Sequence, residues 1–479
     1  MASFYHLRGA SLAGRACAGT ACFVARHRNA ERWSTTSAAE PRVYCIGKCY
    51  ASPSAFETTE RPIIGVRTAR PVVLERIAAG GAPTLARYTA AGGYRSLARA
   101  LDMPPDRVIA EIEASGLRGR GGAGFPTGRK LRSLAAQCAV AKYVVMNADE
   151  GDPGAYIDRI LLEDDPHAAL EGLSIAAYAT QATRGFIYLR REYPDALTRL
   201  GTALEDARAA GFLGEDVLHR GFRFDVDLVV GEGSYVCGEE TALLHSIEGV
   251  RPFVRSRPPH PSERGLFGAP TVVNNVETLA NLPWILGHGA HAYASMGFSE
   301  SRGTKVLSLN SLFARPGLYE VELGIPVRHV VEEVGGGLAR GTLRGVLIGG
   351  PLAGVLPPGQ LDVPLAFEEM RAAGASVGHG GVIAFDEDTS IADLMHHVFS
   401  FGAYESCGRC TPCRLGARHI ERMTRASDTD VPWDLATFED LVSALGRTSL
   451  CGHGSGLAEF ADSILRYYRE ELLACFASS

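Results

Sequence analysis

Four cysteines near the carboxyl end of the chain have the spacing of an iron–sulfur site. Cys407, Cys410 and Cys413 form a C-x2-C-x2-C run, and Cys451 follows after 37 intervening residues. Three thiolates on one tight loop can occupy three corners of an iron–sulfur cube, and a remote fourth thiolate completes the set. A structural zinc site usually pairs two C-x2-C knuckles, and cysteines this close on one loop rarely reach disulfide geometry. The pattern therefore favours a [4Fe–4S] cluster over zinc or disulfides.

A second set of cysteines lies near the amino terminus. Cys17-x4-Cys22 is followed by Cys45-x3-Cys49, and this paired spacing suits a [2Fe–2S] cluster held by two loops. The alternative is a removable leader, since residues 1–30 are rich in Arg, Ala and Ser and contain no acidic residue. We favour the cluster, because a leader would leave two of the four spaced thiols without a role. Clusters and free thiols together predict a reducing compartment, the cytoplasm.

A glycine-rich loop, residues 116–130, follows a predicted helix. Gly119, Gly121 and Gly124 match G-x-G-x-x-G, and such a loop lets backbone N–H groups approach a phosphate. Lys130 would add a positive charge there. A surface turn is the alternative interpretation. Because no strand directly precedes the loop, an ordinary Rossmann dinucleotide unit is disfavoured.

Polar loops follow two predicted strands. Residues 143–146 are predicted as a buried strand, and the strand delivers the polar run 147–154 at its carboxyl end, where open α/β sheets bind ligands. A second strand, 225–230, runs into the polar loop 231–240, and the segment 270–278 supplies two adjacent amides. Each loop alone is compatible with turn or capping chemistry. Together they suit the polar edge of a flavin or a ribityl chain.

The composition is that of a multidomain globular protein. The chain has 479 residues, a net charge of −6, 46% hydrophobic and 21% charged residues, which excludes wholesale disorder. The length predicts roughly three or four domains. No apolar stretch approaches the roughly 18 residues of a membrane helix, and the mildly acidic charge does not indicate nucleic-acid binding. We therefore expect neither membrane insertion nor a nucleic-acid partner.

Five separated motifs resemble one known family, the flavin-bearing, NADH-oxidising 51-kDa-type subunit of respiratory complex I. They lie around residues 116–130, 147–159, 231–249, 265–279 and 405–414. The same module occurs in soluble NAD-dependent formate dehydrogenases and NAD-reducing hydrogenases, and the likeness covers roughly residues 90–479. Within the group, the run 307–317 and the segments 349–353 and 377–380 most resemble formate dehydrogenase beta subunits.

The resemblance implies FMN, NAD(H) and a [4Fe–4S] cluster as cofactors. The residues that it assigns to cofactor binding are Gly119, Gly121, Gly122, Gly124, Phe125, Lys130, Asn147, Asp149, Glu150, Asp152, Tyr235, Gly238, Glu239, Glu240, His260, Asn274 and Asn275. Of these, Phe125, Glu150 and Glu240 would face the nucleotide. A carboxylate such as Glu240 near the adenosine ribose would accept hydrogen bonds from a 2′-OH and repel a 2′-phosphate, which predicts NAD(H) over NADP(H).

Three positions depart from the family's usual residues. His260 stands where the family usually has Phe, and Ser133 replaces a second aromatic residue of the adenine sandwich, so weaker stacking predicts a raised KM for NADH. Asp152 replaces the usual Glu near the flavin. The N-terminal cysteines resemble a thioredoxin-like [2Fe–2S] ferredoxin fold, although only 22 residues separate Cys22 from Cys45.

We therefore predict an α/β multidomain protein with four parts. They are a thioredoxin-like [2Fe–2S] domain over residues 1–75, a Rossmann-like FMN- and NAD-binding domain over 90–295, a small β-grasp domain over 300–375 and a helical-bundle [4Fe–4S] domain over 390–479. A Gly/Ala-rich linker separates the first two parts.

The predicted function is electron transfer between NAD(H) and iron–sulfur clusters through FMN, because a flavin exchanges both hydride and single electrons. No side chain is assigned as a catalytic acid or base. We interpret the chain as the diaphorase subunit of an NAD-dependent formate dehydrogenase complex. Its partners would be a molybdenum- or tungsten-containing, alpha-like catalytic subunit and a small ferredoxin-like subunit. The equivalent subunit of a hydrogenase or of complex I is the alternative, and a flavin-free iron–sulfur scaffold is the alternative from another class.

Overall fold

The computed structural model describes residues 15–34, 43–425 and 434–477. The strands of the described chain are β1 (Ile63–Arg67), β2 (Tyr143–Ala148), β3 (Arg184–Arg190), β4 (Asp225–Gly231), β5 (Thr271–Asn275), β6 (Gly297–Phe298), β7 (Ser301–Arg302), β8 (Thr304–Leu309), β9 (Gly317–Glu322), β10 (Leu343–Ile348), β11 (Val355–Leu356) and β12 (Gly381–Asp386).

The α-helices of the described chain are α1 (Thr20–Val24), α2 (Ala30–Ser34), α3 (Glu75–Ala78), α4 (Leu85–Ala90), α5 (Arg95–Leu101), α6 (Pro105–Ala114), α7 (Thr127–Ala135), α8 (Ile157–Asp164), α9 (Pro166–Thr180), α10 (Pro194–Ala209), α11 (Glu240–Ile247), α12 (Val276–Ala280), α13 (Leu282–His288), α14 (Ala290–Ala294), α15 (Val327–His329), α16 (Phe367–Ala372), α17 (Ile391–Glu405), α18 (Arg418–Met423), α19 (Leu435–Thr448), α20 (Gly452–Tyr467) and α21 (Arg469–Ala477).

The first sheet is parallel throughout and has the order β4-β3-β2-β5. β3 is buried along nearly its whole length, as expected for a parallel strand with helices on both faces. The chain runs outward from β2 to β4 and then returns to the other side of β2, so the strand order reverses between β2 and β5. Ligands bind at the carboxyl ends of the strands beside such a reversal. The sheet confirms the Rossmann-like prediction.

The second sheet has the β-grasp topology, in the order β1-β9-β8-β12-β10-β11. β8 pairs antiparallel with β9 and β10 pairs antiparallel with β12, while the central strands β8 and β12 are parallel. α15 and a π-helical turn, Val330–Val334, connect the two antiparallel pairs. The last strand ends at Asp386, so this sheet extends past the boundary predicted at residue 375.

The N-terminal segment differs from the predicted thioredoxin-like domain. Before β1, the described residues contain only single-residue bridges, Cys17 with Val43 and Ala16 with Ala55. β1 itself pairs in parallel with β9 of the β-grasp sheet. The helix α1 of this segment packs on β12 and α17. The predicted unit 1–75 is thus joined to its neighbour by a shared sheet, and its first 14 residues lie outside the described chain.

The carboxyl-terminal part is helical, as predicted. α17, α18, α19 and α20 pack together around a π-helical turn, Pro412–Ala417. Leu457, Phe460 and Ile464 on one face of α20 are fully buried, so the apolar stripe of this helix forms the core of the bundle. None of the helices within the described ranges combines the length and the hydropathy that a transmembrane span requires.

Candidate cofactor-binding site

A cavity of about 400 Å³, here called the large cavity, lies at the carboxyl edge of the first sheet. Its walls come from the glycine-rich loop, the loops after β2 and β4, the β-grasp domain and the start of α20. The predicted cofactor residues that line it are Gly121, Gly122, Asn147, Asp149, Glu150, Asp152, Tyr235, Gly238, Glu239 and Asn275. The other predicted residues, which lie outside this lining, are Gly119, Gly124, Phe125, Lys130, Glu240, His260 and Asn274.

The glycine-rich loop brings its backbone against the large cavity. The N–H of Gly119 donates to the carbonyl of Phe125 at 2.9 Å, which closes the loop on itself. Gly122 has a φ of +127°, and a Cβ on Gly121 would lie 2.9 Å from the Cβ of Asn275. Both positions therefore require glycine. The resulting close approach leaves backbone N–H groups beside the cavity, as a phosphate-binding loop needs.

The loop after β2 presents a buried acceptor to the cavity. Asn147 Nδ2 donates to the carbonyl of Gly238 at 2.8 Å, and Asn147 Oδ1 accepts from the N–H of Asp149 at 3.0 Å. Asp149 Oδ2 is buried and has no hydrogen-bond partner among the described residues. Burial raises the pKa of Asp149 well above its usual range, against the attraction of Arg190. Because a buried acceptor without a donor is costly, Asp149 fits a ligand with hydroxyl donors, such as the ribityl chain of FMN.

Glu150 is held by the helix that follows it. Its carboxylate accepts hydrogen bonds from the N–H groups of Ile157, Asp158 and Arg159 at 2.5, 3.0 and 3.1 Å, and from the Tyr193 hydroxyl at 3.0 Å. Burial, together with the neighbouring Asp158 charge, raises the pKa of Glu150 to about 7. Glu150 therefore caps α8 in the cavity wall, and this capping occupies the acceptors that were expected to face the nucleotide.

Asp152 and Tyr235 form a hydrogen-bonded pair in the same wall. The Tyr235 hydroxyl donates to Asp152 Oδ1 at 2.6 Å, and burial raises the pKa of both groups. The N–H of Tyr235 donates to Glu405 at the end of α17 at 3.1 Å. The pair therefore connects the large cavity to the helical part of the chain.

Lys130 and Glu240 form an ion pair beside the cavity. Lys130 Nζ lies 2.8 Å from Glu240 Oε2 and donates to the carbonyl of Val273 at 2.7 Å. Arg257 Nη2 lies 3.3 Å from the other Glu240 oxygen. Burial opposes the ionisation of Glu240, but the adjacent Lys130 charge prevails and lowers the pKa of the carboxyl group. The negative charge on which the predicted preference for NAD(H) depends is therefore present at neutral pH.

Phe125 and His260, which the resemblance assigns to the nucleotide, have exposed side chains. Phe125 is 51% exposed, and the Arg129 guanidinium lies 5.8 Å from its ring centre. The Ser133 hydroxyl donates to the Ser262 hydroxyl at 2.8 Å, so it is engaged in a polar contact where the family has a ring. The weaker adenine stacking expected from the sequence stays a prediction.

Two charged residues of the cavity wall, Asp158 and His379, were not predicted from the sequence. Asn275 Nδ2 donates to Asp158 Oδ2 at 2.7 Å, while Asn275 Oδ1 caps α12 by accepting from the N–H of Thr278 at 3.2 Å. His379 Nε2 lies 3.0 Å from the same Asp158 oxygen. Both residues belong to segments that carried the family resemblance. Their position within those segments was the only indication in the sequence that they could belong to the site.

The four C-terminal cysteines meet around a second, smaller cavity. Its lining includes Cys407, Cys410, Cys413 and Cys451. Cys407 follows α17, Cys413 lies in the π-helical turn and Cys451 is the residue before α20. Cys451 also lines the large cavity. The arrangement matches the loop-plus-remote-thiolate set predicted for a [4Fe–4S] cluster.

The four N-terminal cysteines are also brought together, and all are buried. Cys45 Sγ lies 3.3 Å from Cys49 Sγ, and Cys17 lies within hydrogen-bonding distance of Cys22 and Cys45. The N–H of Gly47 donates to Cys45 Sγ at 3.3 Å. Backbone N–H donors of this kind stabilise thiolates. The four thiols therefore form one site, although the described residues around them contain no thioredoxin-like sheet.

The N-terminal cysteine site packs directly on the loop that lines the large cavity. The Gly154 N–H donates to the thiol of Cys49. Arg190 donates to the carbonyl of Cys45 at 2.7 Å and to the carbonyl of Glu150. One loop after β2 thus contacts the large cavity on one side and the N-terminal thiols on the other.

Two family models match the chain. The Nuo51 FMN-binding domain matches residues 112–284, and the iron-sulfur binding region of NADH-ubiquinone oxidoreductase-F matches residues 393–475. The chain is 40% identical over 408 residues to the NADH-quinone oxidoreductase F 2 subunit of Rhizobium meliloti, which covers 84% of this chain and 97% of that protein. It is 43% identical over 372 residues to the NADP-reducing hydrogenase subunit HndC of Solidesulfovibrio fructosivorans, covering 77% of this chain and 75% of that protein.

Solved structures show the same relationship. An NAD⁺-reducing [NiFe]-hydrogenase in the H2-reduced state is similar with a TM-score of 0.70 and 35% sequence identity, covering 78% of this chain and 64% of the hydrogenase chain. The air-oxidized state gives a TM-score of 0.72 at 33% identity, covering 86% of this chain and 67% of that chain. The chain therefore belongs to the Nuo51 family of 51-kDa-type oxidoreductase subunits, which bind FMN, NAD(H) and a [4Fe–4S] cluster.

Proposed function

We propose that this chain is the diaphorase subunit of an NAD-dependent oxidoreductase complex and transfers electrons between NAD(H) and iron–sulfur clusters. The observation that carries the proposal is Cys451, which lines both the large cavity and the cavity of the C-terminal cysteines. Bound FMN supplies the exchange of hydride with NAD(H) and of single electrons with clusters. Val236 and His453 also line both cavities.

In this proposal, the side chains of the chain bind and orient the two cofactors. Asp149 and Asn147 hold the polar chain of the flavin, and the glycine-rich loop with Lys130 holds its phosphate. Glu240 selects NAD(H) through its negative charge. No side chain is assigned a proton in the reaction, since the role of the residues would be to position the two cofactors for hydride exchange.

The diaphorase proposal is tested on the natively purified complex. NADH should bleach the flavin absorbance, and the reduced [4Fe–4S] cluster should then appear in the electron paramagnetic resonance (EPR) spectrum. Heating should release FMN, which is measured by its fluorescence. A complex that carries iron but releases no flavin would instead favour the flavin-free scaffold.

For the N-terminal cysteines we propose a [2Fe–2S] cluster that exchanges electrons with the flavin. Its support is the burial of the four thiols in one site and their packing on the loop of Glu150 and Gly154. Replacing Cys45 with serine should remove about two iron atoms per chain and a [2Fe–2S] EPR signal. Cys138, which is exposed, provides the matched control, because Cys138→Ser should leave both unchanged. Equal iron content in the two variants would contradict the proposal.

As the electron donor we propose formate, oxidised by a molybdenum- or tungsten-containing partner subunit. The support is the likeness of the runs 307–317, 349–353 and 377–380 to formate dehydrogenase beta subunits. A hydrogenase-type partner is the second candidate, favoured by the similarity to the NAD⁺-reducing hydrogenase chain. We place the complex in the cytoplasm, since iron–sulfur clusters and free thiols indicate a reducing compartment, and none of the ten described cysteines outside residue 475 forms a disulfide.

The donor is tested by following NAD⁺ reduction by the purified complex with formate and, separately, with H2. Formate-driven reduction supports the formate dehydrogenase assignment and sets the direction from clusters to FMN to NAD⁺. Reduction with H2 alone supports the hydrogenase assignment. Activity with neither donor, but NADH oxidation by an artificial acceptor, supports a complex I-like partner.

A further inference from the structure

His379 is a buried histidine between two carboxylates in the wall of the large cavity. It lies in the loop before β12, is 5% exposed and lines the cavity together with Glu150 and Asp158. Its Nε2 is 3.0 Å from Asp158 Oδ2, and its Nδ1 is 3.5 Å from Glu150 Oε1. Among the described residues, Nδ1 has no hydrogen-bond partner. These three side chains are here called the His379 group.

The charge of the His379 group depends on the histidine proton. The other titratable or charged groups that act on His379 are Asp152 and Lys305. Glu277 and Arg120 lie beside Lys305 in turn. The buried Lys305 ammonium pairs with the Glu277 carboxylate, so these two charges compensate each other. Loss of the histidine proton lowers the net charge of the group by one. The charge changes from −1 to −2 when both carboxylates are ionised, and from 0 to −1 when Glu150, whose pKa is about 7, carries its proton.

The arrangement suits a proton better than a metal ion. Three atoms of the group lie close enough to surround a cation. However, the Glu150 oxygens already accept hydrogen bonds from three backbone N–H groups and from the Tyr193 hydroxyl. Asp158 Oδ2 accepts from Asn275. The N–H and O–H groups that donate to these oxygens would place their hydrogen atoms close to a metal ion bound there. A histidine N–H instead adds one more donor to the same hydrogen-bond network.

The geometry favours the protonated form of His379. Burial alone would lower the pKa of the imidazole, but the adjacent Asp158 and Glu150 carboxylates outweigh burial and raise the pKa to about 9. A group whose pKa is raised carries its proton at all lower pH values. His379 is therefore a cation at neutral pH.

We propose that protonated His379 is a buried cation of the flavin site that favours the reduced state of the bound flavin, an inference that rests on FMN occupying the large cavity. Hydride transfer from NADH adds two electrons and one proton to the flavin and leaves NAD⁺. The flavin thereby gains one negative charge and the nucleotide gains one positive charge. A fixed positive charge in a buried wall stabilises the negative charge that develops on the flavin.

The test is the two-electron midpoint potential of the bound FMN, measured by spectroelectrochemical titration of the purified complex. His379→Gln removes the charge while keeping an amide able to reach Asp158. This variant should have a lower midpoint potential than the wild type at neutral pH. The difference should shrink as the pH rises through about 9, where His379 of the wild type loses its proton. The control is His291→Gln on α14, where the side chain is exposed; its potential should equal that of the wild type.

Equal potentials for His379→Gln and wild type at neutral pH would overturn the inference. The wild type alone supplies a second measurement that does not depend on folding of the variant. Its potential should fall more steeply with pH above about 9, because reduction then brings an additional proton onto His379. A wild-type midpoint potential that falls with pH at one constant slope across pH 9 would also overturn the inference. FMN content is measured alongside: a complex without FMN contradicts the proposed function, whereas a complex with FMN and unchanged potentials contradicts only the role of His379.

Discussion

Replacing Gly378 with alanine tests whether the cavity wall must be built from glycine. Gly378 has a φ of +52°, and a Cβ there would lie 2.3 Å from Gly349 Cα and 2.4 Å from the Gly349 oxygen. Both are backbone atoms, so neither can rotate away. Ordinary contacts of a Cβ begin at 3.4 Å. The two loops must therefore separate by about 1 Å, in a wall that is otherwise closely packed.

The cost of Gly378→Ala follows from these contacts. The left-handed conformation costs an alanine about 1–2 kcal/mol. The separation also disrupts the bridge between Gly378 and Gly122 of the glycine-rich loop, at about 1 kcal/mol for each hydrogen bond lost. The backbone strain lowers the free energy of unfolding, whereas the displaced glycine-rich loop weakens FMN binding. Since about 1.4 kcal/mol corresponds to a tenfold change in a binding constant, the loss of about 1 kcal/mol at this loop should weaken FMN binding about fivefold.

The assay is the dissociation constant of FMN for the deflavinated complex, from the quenching of FMN fluorescence, together with the thermal unfolding midpoint. Gly337→Ala is the matched control, because Gly337 has a φ of +70° and nothing within 4 Å of its Cβ position. The control should lose stability through the same backbone strain and should bind FMN as the wild type does. Wild-type FMN affinity in Gly378→Ala would refute the close-approach argument.

Three further changes test the nucleotide and cluster assignments. Glu240→Gln should raise kcat/KM for NADPH relative to NADH about five- to tenfold, because a 2′-phosphate no longer meets the carboxylate; an unchanged ratio of the two constants contradicts this. His260→Phe should lower the KM for NADH about two- to fivefold, since an aromatic contact contributes about 0.5–1.5 kcal/mol, and an unchanged KM removes the stacking explanation. Cys451→Ser should abolish the [4Fe–4S] EPR signal while FMN is retained, whereas Cys138→Ser should keep both; a persistent cluster signal in Cys451→Ser means that the ligand set is wrong.

The local parts of the large cavity were predictable from the sequence. The apolar run of β2 and the polar residues after it reveal a strand that ends at a ligand site, because hydrophobicity and turn chemistry are properties of neighbouring residues. Asn275 was assigned through the family resemblance, as one of two adjacent amides in the segment 270–278, and the structure places it at the end of β5. The cysteine spacings likewise predicted two sites, and each set of thiols does come together.

The parts that depend on long-range packing were not predictable. His379 and Asp158 are separated by 221 positions, and their contact joins the helix α8 to the loop before β12. The hydrophobic periodicity of one segment cannot predict a contact between two distant segments. The thioredoxin-like expectation rested on cysteine spacing alone, and spacing does not show whether a segment builds its own sheet or joins another.

The parallel pairing of β1 with β9 has a consequence for how the protein avoids association with itself. Without β1, the backbone N–H and C=O groups along the outer side of β9 would be unpaired, and an open strand edge is a template for pairing with other chains. The strand Ile63–Arg67 closes that edge and presents an arginine at its end. A shortened protein that begins after residue 67 would therefore expose an unpaired, aggregation-prone sheet edge, even if every residue that lines the large cavity were intact. A strand that the sequence analysis placed in a separate N-terminal domain thus covers the edge of the neighbouring sheet.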